Sequence, residues 1–158
     1  MVAARPGAVR RSLRQMPAIR YPIRLGRRSM PLLRLFGVRG QDDAWAELRP
    51  GADGTDELAA RFGRFSFATP VANIERWRIE GPWRWFTAIG VRVNWLNRET
   101  SFAGSPRGGV RVDFEHPIRW LRVKVPAFYL GVEDLDGLAA ALAERGIPGE
   151  DARKERVP

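Results

Sequence analysis

The residues of this chain that most resemble a metal-binding or catalytic cluster are Asp113, Glu115 and His116. Carboxylate oxygens and imidazole nitrogens are metal ligands, and His116 is the one histidine, so it is also the one candidate imidazole base. On a strand, Asp113 and Glu115 share a face whereas His116 points to the other. A hard cation needs more oxygen ligands than these two side chains supply. We therefore interpret the cluster as surface charge and expect no metal site.

The composition excludes several kinds of chemistry. The 158 residues include no cysteine, so disulfides, thiolate zinc sites and cysteine nucleophiles are excluded. No serine has a base that we can place beside it, and no Walker or dinucleotide-binding glycine pattern is present. We therefore expect no cofactor and no enzymatic activity. The alternative is an enzyme on a β fold of another kind, which would need a polar pocket.

Residues 83–86, Trp-Arg-Trp-Phe, form an aromatic connection after Pro82. Core packing explains such a cluster, but Trp and Arg also dominate the anchors of protein interfaces, and Trp and Phe favour the membrane interface. These interpretations remain open. A single Arg-Gly-Gly in the stretch 104–109 is more typical of a hairpin turn than of an RNA-binding repeat. The candidate ligand or partner contacts are Trp83, Arg84, Trp85, Phe86 and Arg107.

Positive charge is concentrated at the N-terminus. Residues 1–40 contain ten of the 27 basic residues and none of the 18 acidic ones, so the net charge of +9 belongs to this segment. The remainder is close to neutral, and the high overall charge does not indicate a nucleic-acid-binding domain. The candidate contacts to a polyanion or lipid are Arg10, Arg11, Arg14, Arg20, Arg24, Arg27 and Arg28.

Residues 1–18 are expected to be a basic, mostly irregular arm. Arg10-Arg11 suggests an export signal, but Pro17 and Arg20 interrupt the apolar region that such a signal needs. Three interpretations remain: an extension without function, with Met16 or Met30 as the true start; a polybasic segment at anionic lipid; and nonspecific contact with nucleic acid or an acidic partner. Apolar residues interleave with the arginines of 19–38, which indicates that the folded domain begins near residue 19.

From Asp42 onward the pattern predicts a mainly β domain. Segments 99–103 and 110–114 are expected to pair as a hairpin across the glycine-rich turn 104–109. The longest uncharged run, 65–74, is too short to span a bilayer. The alternation of apolar and polar residues predicts strands at 44–49, 57–61, 64–68, 75–80, 91–95, 99–103 and 110–114, and one or two more over 123–132.

The C-terminal region predicts one amphipathic helix over 135–145. Asp134 is a good N-cap, Leu138 and Leu142 belong to one apolar face, and Gly146 is suited to a left-handed C-terminal cap. Residues 149–158 are expected to be a charged tail.

Three stretches carry a family resemblance: Arg-Phe-Gly-Arg-Phe-Ser-Phe-Ala-Thr-Pro-Val-Ala-Asn-Ile at 61–74, Arg-Gly-Gly-Val-Arg-Val at 107–112, and Asp-Leu-Asp-Gly-Leu-Ala-Ala-Ala-Leu at 134–142. In this order they resemble the bacterial pleckstrin-homology-like domains of small actinobacterial proteins. The resemblance covers about residues 40–147 and implies a small barrel of about seven antiparallel strands with the C-terminal helix plugging one end. Together with the apolar residues that begin near residue 19, it predicts one domain over 19–148. It also implies a binding or adaptor scaffold without catalysis. The first hairpin loop, 50–57, has no basic residue, which argues against inositol-lipid binding there.

These observations predict a non-catalytic binding or adaptor module in the cytoplasm, with its arm as a possible contact to an anionic membrane. The partner is expected to be a protein or an anionic lipid surface. Binding of nucleic acid or an acidic partner through the arginine-rich arm is the first alternative, and the enzyme named above is the second.

Overall fold

The computed structural model describes residues 17–82, 90–94 and 98–153, and this part of the chain is mainly β. Two sheets contain its ten strands. The first sheet is an antiparallel meander in the order β1-β2-β3-β4, and the second has the order β10-β5-β8-β9-β7-β6. The strands are β1 (Ile19–Pro22), β2 (Ala44–Pro50), β3 (Asp56–Phe62), β4 (Phe65–Pro70), β5 (Ile74–Glu80), β6 (Gly90–Asn94), β7 (Glu99–Ala103), β8 (Gly109–Trp120), β9 (Val123–Leu130) and β10 (Gly149–Asp151).

Two helices complete the described fold. Helix α1 (Met30–Leu35) lies between β1 and β2, and helix α2 (Leu135–Glu144) follows β9. Single 3-10 turns occur at Arg27–Ser29, Gln41–Asp43 and Val71–Asn73. Residues 149–151, which we expect in a charged tail, form β10 instead.

The predicted hairpin between 99–103 and 110–114 is wrong. Strand β9 lies between β7 and β8, parallel to β7 and antiparallel to β8. The two-residue connection of 121 and 122 joins β8 directly to β9, whereas the longer loop after β7 imposes no such register. A tight turn therefore takes precedence over the looser one. The pairing of β10 with β5 is also parallel, so the expectation of about seven strands, all antiparallel, is corrected on both counts.

The two sheets are joined where the chain leaves β1. Ile23 forms an isolated bridge with Val132, and Leu25 forms one with Gly104, so this segment crosses from the first sheet to the second. The Gly26 amide donates to the Gly104 carbonyl at 2.8 Å. Within the described ranges, no continuous strand pairing closes the two sheets into a barrel.

Aromatic rings fill the space between the sheets. The rings of Phe67 from β4 and Phe128 from β9 stack with their centroids 4.0 Å apart. Phe102 of β7 meets Phe128 edge-on at 4.7 Å and stacks on Phe62 of β3 at 5.7 Å. Offset-stacked and edge-on geometries are the favourable ones for aromatic pairs, so this cluster both buries apolar area and fixes the relative position of the sheets.

The C-terminal helix is confirmed within one residue of its predicted bounds. The Asp134 carboxylate accepts from the Gly137 amide at 2.8 Å, Leu138 and Leu142 are fully buried, and Gly146 has a φ of 81°. Each is what an N-cap, an apolar face and a left-handed C-terminal cap require.

Two polar contacts fasten α2 to the first sheet. The Arg145 guanidinium, only 6% exposed, donates to Asp56 at the start of β3 at 2.8 Å. The Tyr21 hydroxyl of β1 donates to the Gly137 carbonyl at 3.3 Å. Burial raises the pKa of Tyr21 above its ordinary value.

Replacement of Asp56 by Asn is expected to lower the free energy of unfolding by about 2 kcal/mol, because it leaves the enclosed Arg145 charge without its counter-ion. Glu150→Gln is the matched control: its bond to Arg78 is similar, 2.9 Å, but the Glu150 side chain is 63% exposed, so the expected loss is about 0.5 kcal/mol or less. Urea unfolding at neutral pH measures both. Equal losses would contradict a special role for the Arg145–Asp56 pair.

Candidate functional site

In the described chain, the surface around α1 combines exposed apolar side chains with exposed positive charge. A 3-10 turn at Arg27–Ser29 leads into the helix, which has proline in its first turn and ends before Gly37 at a φ of 87°. Proline is pre-organised for a helix start, and glycine suits the left-handed residue after its end. These residues therefore produce a short helix of about one and a half turns.

One side of α1 anchors it and the other faces solvent. Leu33 is fully buried in the hydrophobic core, as is Val38 just after the helix. Leu32 is 41% exposed and Leu35 is 68% exposed, and residues three apart lie on the same helix face. Two large apolar side chains therefore stand together in solvent.

Arginines flank these leucines. Arg27, Arg28 and Arg34 are exposed, and no ion-pair partner for them occurs in the described part of the chain. The sequence offers them no local partner, because residues 1–40 contain no acidic side chain. We name Arg27, Arg28, Leu32, Arg34 and Leu35 the α1 surface.

Backbone contacts hold the α1 surface in place. The Arg64 side chain donates to the Leu35 carbonyl at 2.6 Å, and the Arg64 amide donates to the Phe36 carbonyl at 3.0 Å. At Gly63, where φ is 60°, a Cβ would overlap the Phe36 backbone, so only glycine fits this close approach. The β3–β4 turn is thus a rigid support for the end of α1.

The arginines predicted to contact a polyanion fall into three groups. Arg27 and Arg28 are exposed and lie on the α1 surface. Arg20 is engaged elsewhere: its Nε donates to Glu47 at 2.8 Å and its guanidinium lies 4.3 Å from the centroid of the Trp45 ring. Arg24 donates to the Glu133 carbonyl at 3.2 Å. Arg10, Arg11 and Arg14 lie outside the described residues.

The other predicted contacts do not join the α1 surface. Trp83, Arg84, Trp85 and Phe86 lie outside the described residues. Arg107 is exposed in the loop after β7, and its neighbour Gly108 approaches Leu135 at the start of α2.

The acidic and histidine cluster at 113–116 is divided between an ion-paired residue and two exposed ones. Asp113 accepts from Arg76 at 3.1 Å and from Arg111 at 2.9 Å, while Glu115 and His116 are exposed. Partial burial opposes the charge of Arg111, but its hydrogen bond to Asp113 and the nearby charges of Asp113, Glu99 and Glu80 together outweigh burial and raise the pKa of Arg111 above its ordinary value. Within the described ranges, no group of three or more His, Asp and Glu side chains could hold a metal ion.

A shallow depression of about 370 Å³ lies where β10 meets β5. Of its charged groups, Arg76 pairs with Asp113 at 3.1 Å and Arg78 with Glu150 at 2.9 Å. Trp77 lines it, and the Trp77 indole donates to the Ile147 carbonyl at 3.1 Å. The lining residues are Glu75, Arg76, Trp77, Arg78, Pro148, Gly149 and Glu150. These contacts fasten the C-terminal segment and present no set of groups for a reaction.

No family model, no curated protein and no solved structure matches this chain. Among the described residues, no helix has the length and apolar character needed to cross a membrane.

Sequence reasoning missed the two exposed leucines of the α1 surface. Leu32 and Leu35 are among the apolar residues interleaved with the arginines of 19–38, which indicate only that the folded domain begins in this region. The three-residue spacing of the two leucines was the available signal, since it places them on one helix face apart from Leu33.

Gly149→Ala is expected to displace β10, because a Cβ at this position would overlap the Trp77 ring. The expected cost is about 1–3 kcal/mol, together with faster amide exchange at residues 149–152. Gly40→Ala is the control, since a Cβ at Gly40 meets nothing within 4 Å. Unchanged amide exchange in Gly149→Ala would show that β10 does not rest against Trp77.

Proposed function

We propose that this protein is a non-catalytic binding module of the cytoplasm that attaches reversibly to anionic membrane surfaces through the α1 surface. The observation that carries this proposal is that exposed leucines of α1 lie beside exposed arginines that have no ion-pair partner among the described residues. Amphipathic segments of this character lie at the headgroup boundary, with apolar groups inserted and cations at the phosphates.

The energies favour reversible attachment. Each arginine near an anionic surface contributes about 1 kcal/mol, and burial of a leucine side chain about 2 kcal/mol. Three arginines and two leucines that are already partly covered therefore supply about 5 kcal/mol. This resembles the binding of a single acyl chain, which is marginal without a second contact. The arginine-rich arm at 1–18 is a candidate for additional charge.

The resemblance to pleckstrin-homology-like domains belongs to this proposal. What supports it is the antiparallel meander of β1–β4, the second sheet and the C-terminal helix. The two parallel pairings of the second sheet differ from the all-antiparallel barrel that the resemblance implies. The likeness is therefore one of general plan, and the lipid contact proposed here lies at α1 rather than in the acidic loop 50–57.

Replacement of Leu32 and Leu35 together by Ser is expected to weaken binding to phosphatidylserine-containing vesicles roughly 30-fold, since the apolar part of the contact, about 2 kcal/mol, is lost. Both side chains are exposed, so the unfolding midpoint is expected to stay within error. Co-sedimentation of the full chain measures the partition. Undiminished binding of this variant would remove the α1 surface from the proposal.

Replacement of Arg27 and Arg28 by Gln is expected to weaken the same binding roughly 30-fold at low salt and much less at high salt. Arg107→Gln is the control for an exposed arginine outside the α1 surface, with an expected change of less than twofold. An Arg10, Arg11 and Arg14 triple change to Gln separates the contribution of the arm.

Nucleic-acid binding is distinguished in the same experiment. Arginines contact phosphates of lipids and of nucleic acids alike, whereas exposed leucines contribute only at a lipid interface. Binding to duplex DNA that depends on Arg27 and Arg28, with no vesicle binding by the natural chain, would favour the nucleic-acid alternative over the proposed function.

A further inference from the structure

The turn between β8 and β9 adopts a strained conformation for its residues. Leu121 and Arg122 are the two central residues of this hairpin, and their φ angles are 44° and 67°. Two-residue hairpins of this kind normally place Asn and Gly here, because a side chain at positive φ crowds the backbone. A leucine at the first position is thus the opposite of what the turn prefers.

Packing does not compensate for this strain. The Leu121 side chain is 61% exposed, and it is the third exposed large apolar side chain of the described residues, beside Leu32 and Leu35. A strained residue that gains little burial is a candidate for a functional role.

All charged residues close to Leu121 in the sequence are basic. Arg119, Arg122 and Lys124 are all exposed, and no acidic residue occurs from 117 to 132. The tip therefore presents one apolar side chain flanked by three basic residues. The long alkyl stems of these residues can lie along an apolar surface while their charged groups stay in water.

The base of the tip is buried and is linked by aromatic contacts to the residue that follows α1. Trp120 is 6% exposed, and its indole donates to the Ser66 carbonyl at 3.0 Å. Its ring contacts Phe65 at 5.9 Å, and Phe65 contacts Phe36, the residue after α1, at 6.3 Å. Phe65 thus connects the base of the hairpin to the end of α1.

We infer that Leu121 is a second membrane anchor, inserted into the interface of an anionic bilayer while Arg119, Arg122 and Lys124 contact lipid phosphates. This inference rests on the proposed function. The strained turn holds Leu121 outward before binding, so little ordering is required when the protein reaches the membrane. A second anchor, linked to α1 through Phe65, also provides the second contact that α1 alone lacks.

Leu121→Asn tests the inference, because Asn tolerates the left-handed conformation but cannot insert. Its unfolding midpoint is expected to equal or exceed that of the natural chain, while its partition onto phosphatidylserine-containing vesicles falls about fivefold. Leu121→Met is the matched control and is expected to keep the binding.

Site-specific labelling gives an independent measurement, since the chain has no cysteine of its own. An environment-sensitive fluorophore attached in Leu121→Cys is expected to shift to shorter wavelength on anionic vesicles. The same label in Thr55→Cys, in the exposed β2–β3 loop, is expected not to shift.

The outcomes separate the two proposals. Binding of the natural chain with unchanged binding of Leu121→Asn and no shift of the label at 121 overturns the second anchor and leaves the function of the α1 surface intact. A lowered unfolding midpoint of Leu121→Asn also counts against the inference, because it assigns Leu121 to packing. No vesicle binding by the natural chain overturns the proposed function and the second anchor together.

Discussion

The aromatic contact between the two sheets is the constraint on which the rest of the fold depends. Phe67 and Phe128 come from different sheets, and their rings stack at 4.0 Å, so neither sheet can slide without separating them. In a close-packed protein interior, even a small shift of packed groups raises the free energy of the folded state. The segment after β1 and the pair of Arg145 with Asp56 then join the sheets and the C-terminal helix around a centre that is already fixed.

The same aromatic cluster reaches from the core to the surface. Trp120 contacts Phe128 at 5.7 Å on one side and Phe65 at 5.9 Å on the other, and Phe65 in turn contacts Phe36. The core therefore determines the positions of both α1 and the β8–β9 turn. Exposed leucines on such supported elements remain in solvent, because the backbone cannot collapse to cover them.

Local patterns predicted most strands from β2 to β9 and the C-terminal helix, but they predicted neither β1, α1 and β10 nor the order of the strands. The cap at Asp134 and the apolar face of the helix depend on residues a few positions apart, and alternation within each strand is equally local. The order of strands depends on competition between turns far apart in sequence, which is why β9 displaced the predicted hairpin partner of β7. The left-handed turn at Leu121 is invisible to pattern analysis, because it contradicts the preference of the residue.

Arginine has two different roles in this chain, and its neighbours decide which. On the second sheet, Arg111 lies between Glu99 and Asp113, and their charges cancel across the strands. On the α1 surface, Arg27 and Arg28 belong to a segment without acidic residues, so their field extends into solvent. Surface charge of one sign keeps a protein soluble and steers it toward anions. Leucines beside such arginines add a preference for membranes over other anionic surfaces. A membrane can bind the arginines at its headgroups and bury the leucines in its apolar interior, whereas charge alone does not distinguish it from other polyanions.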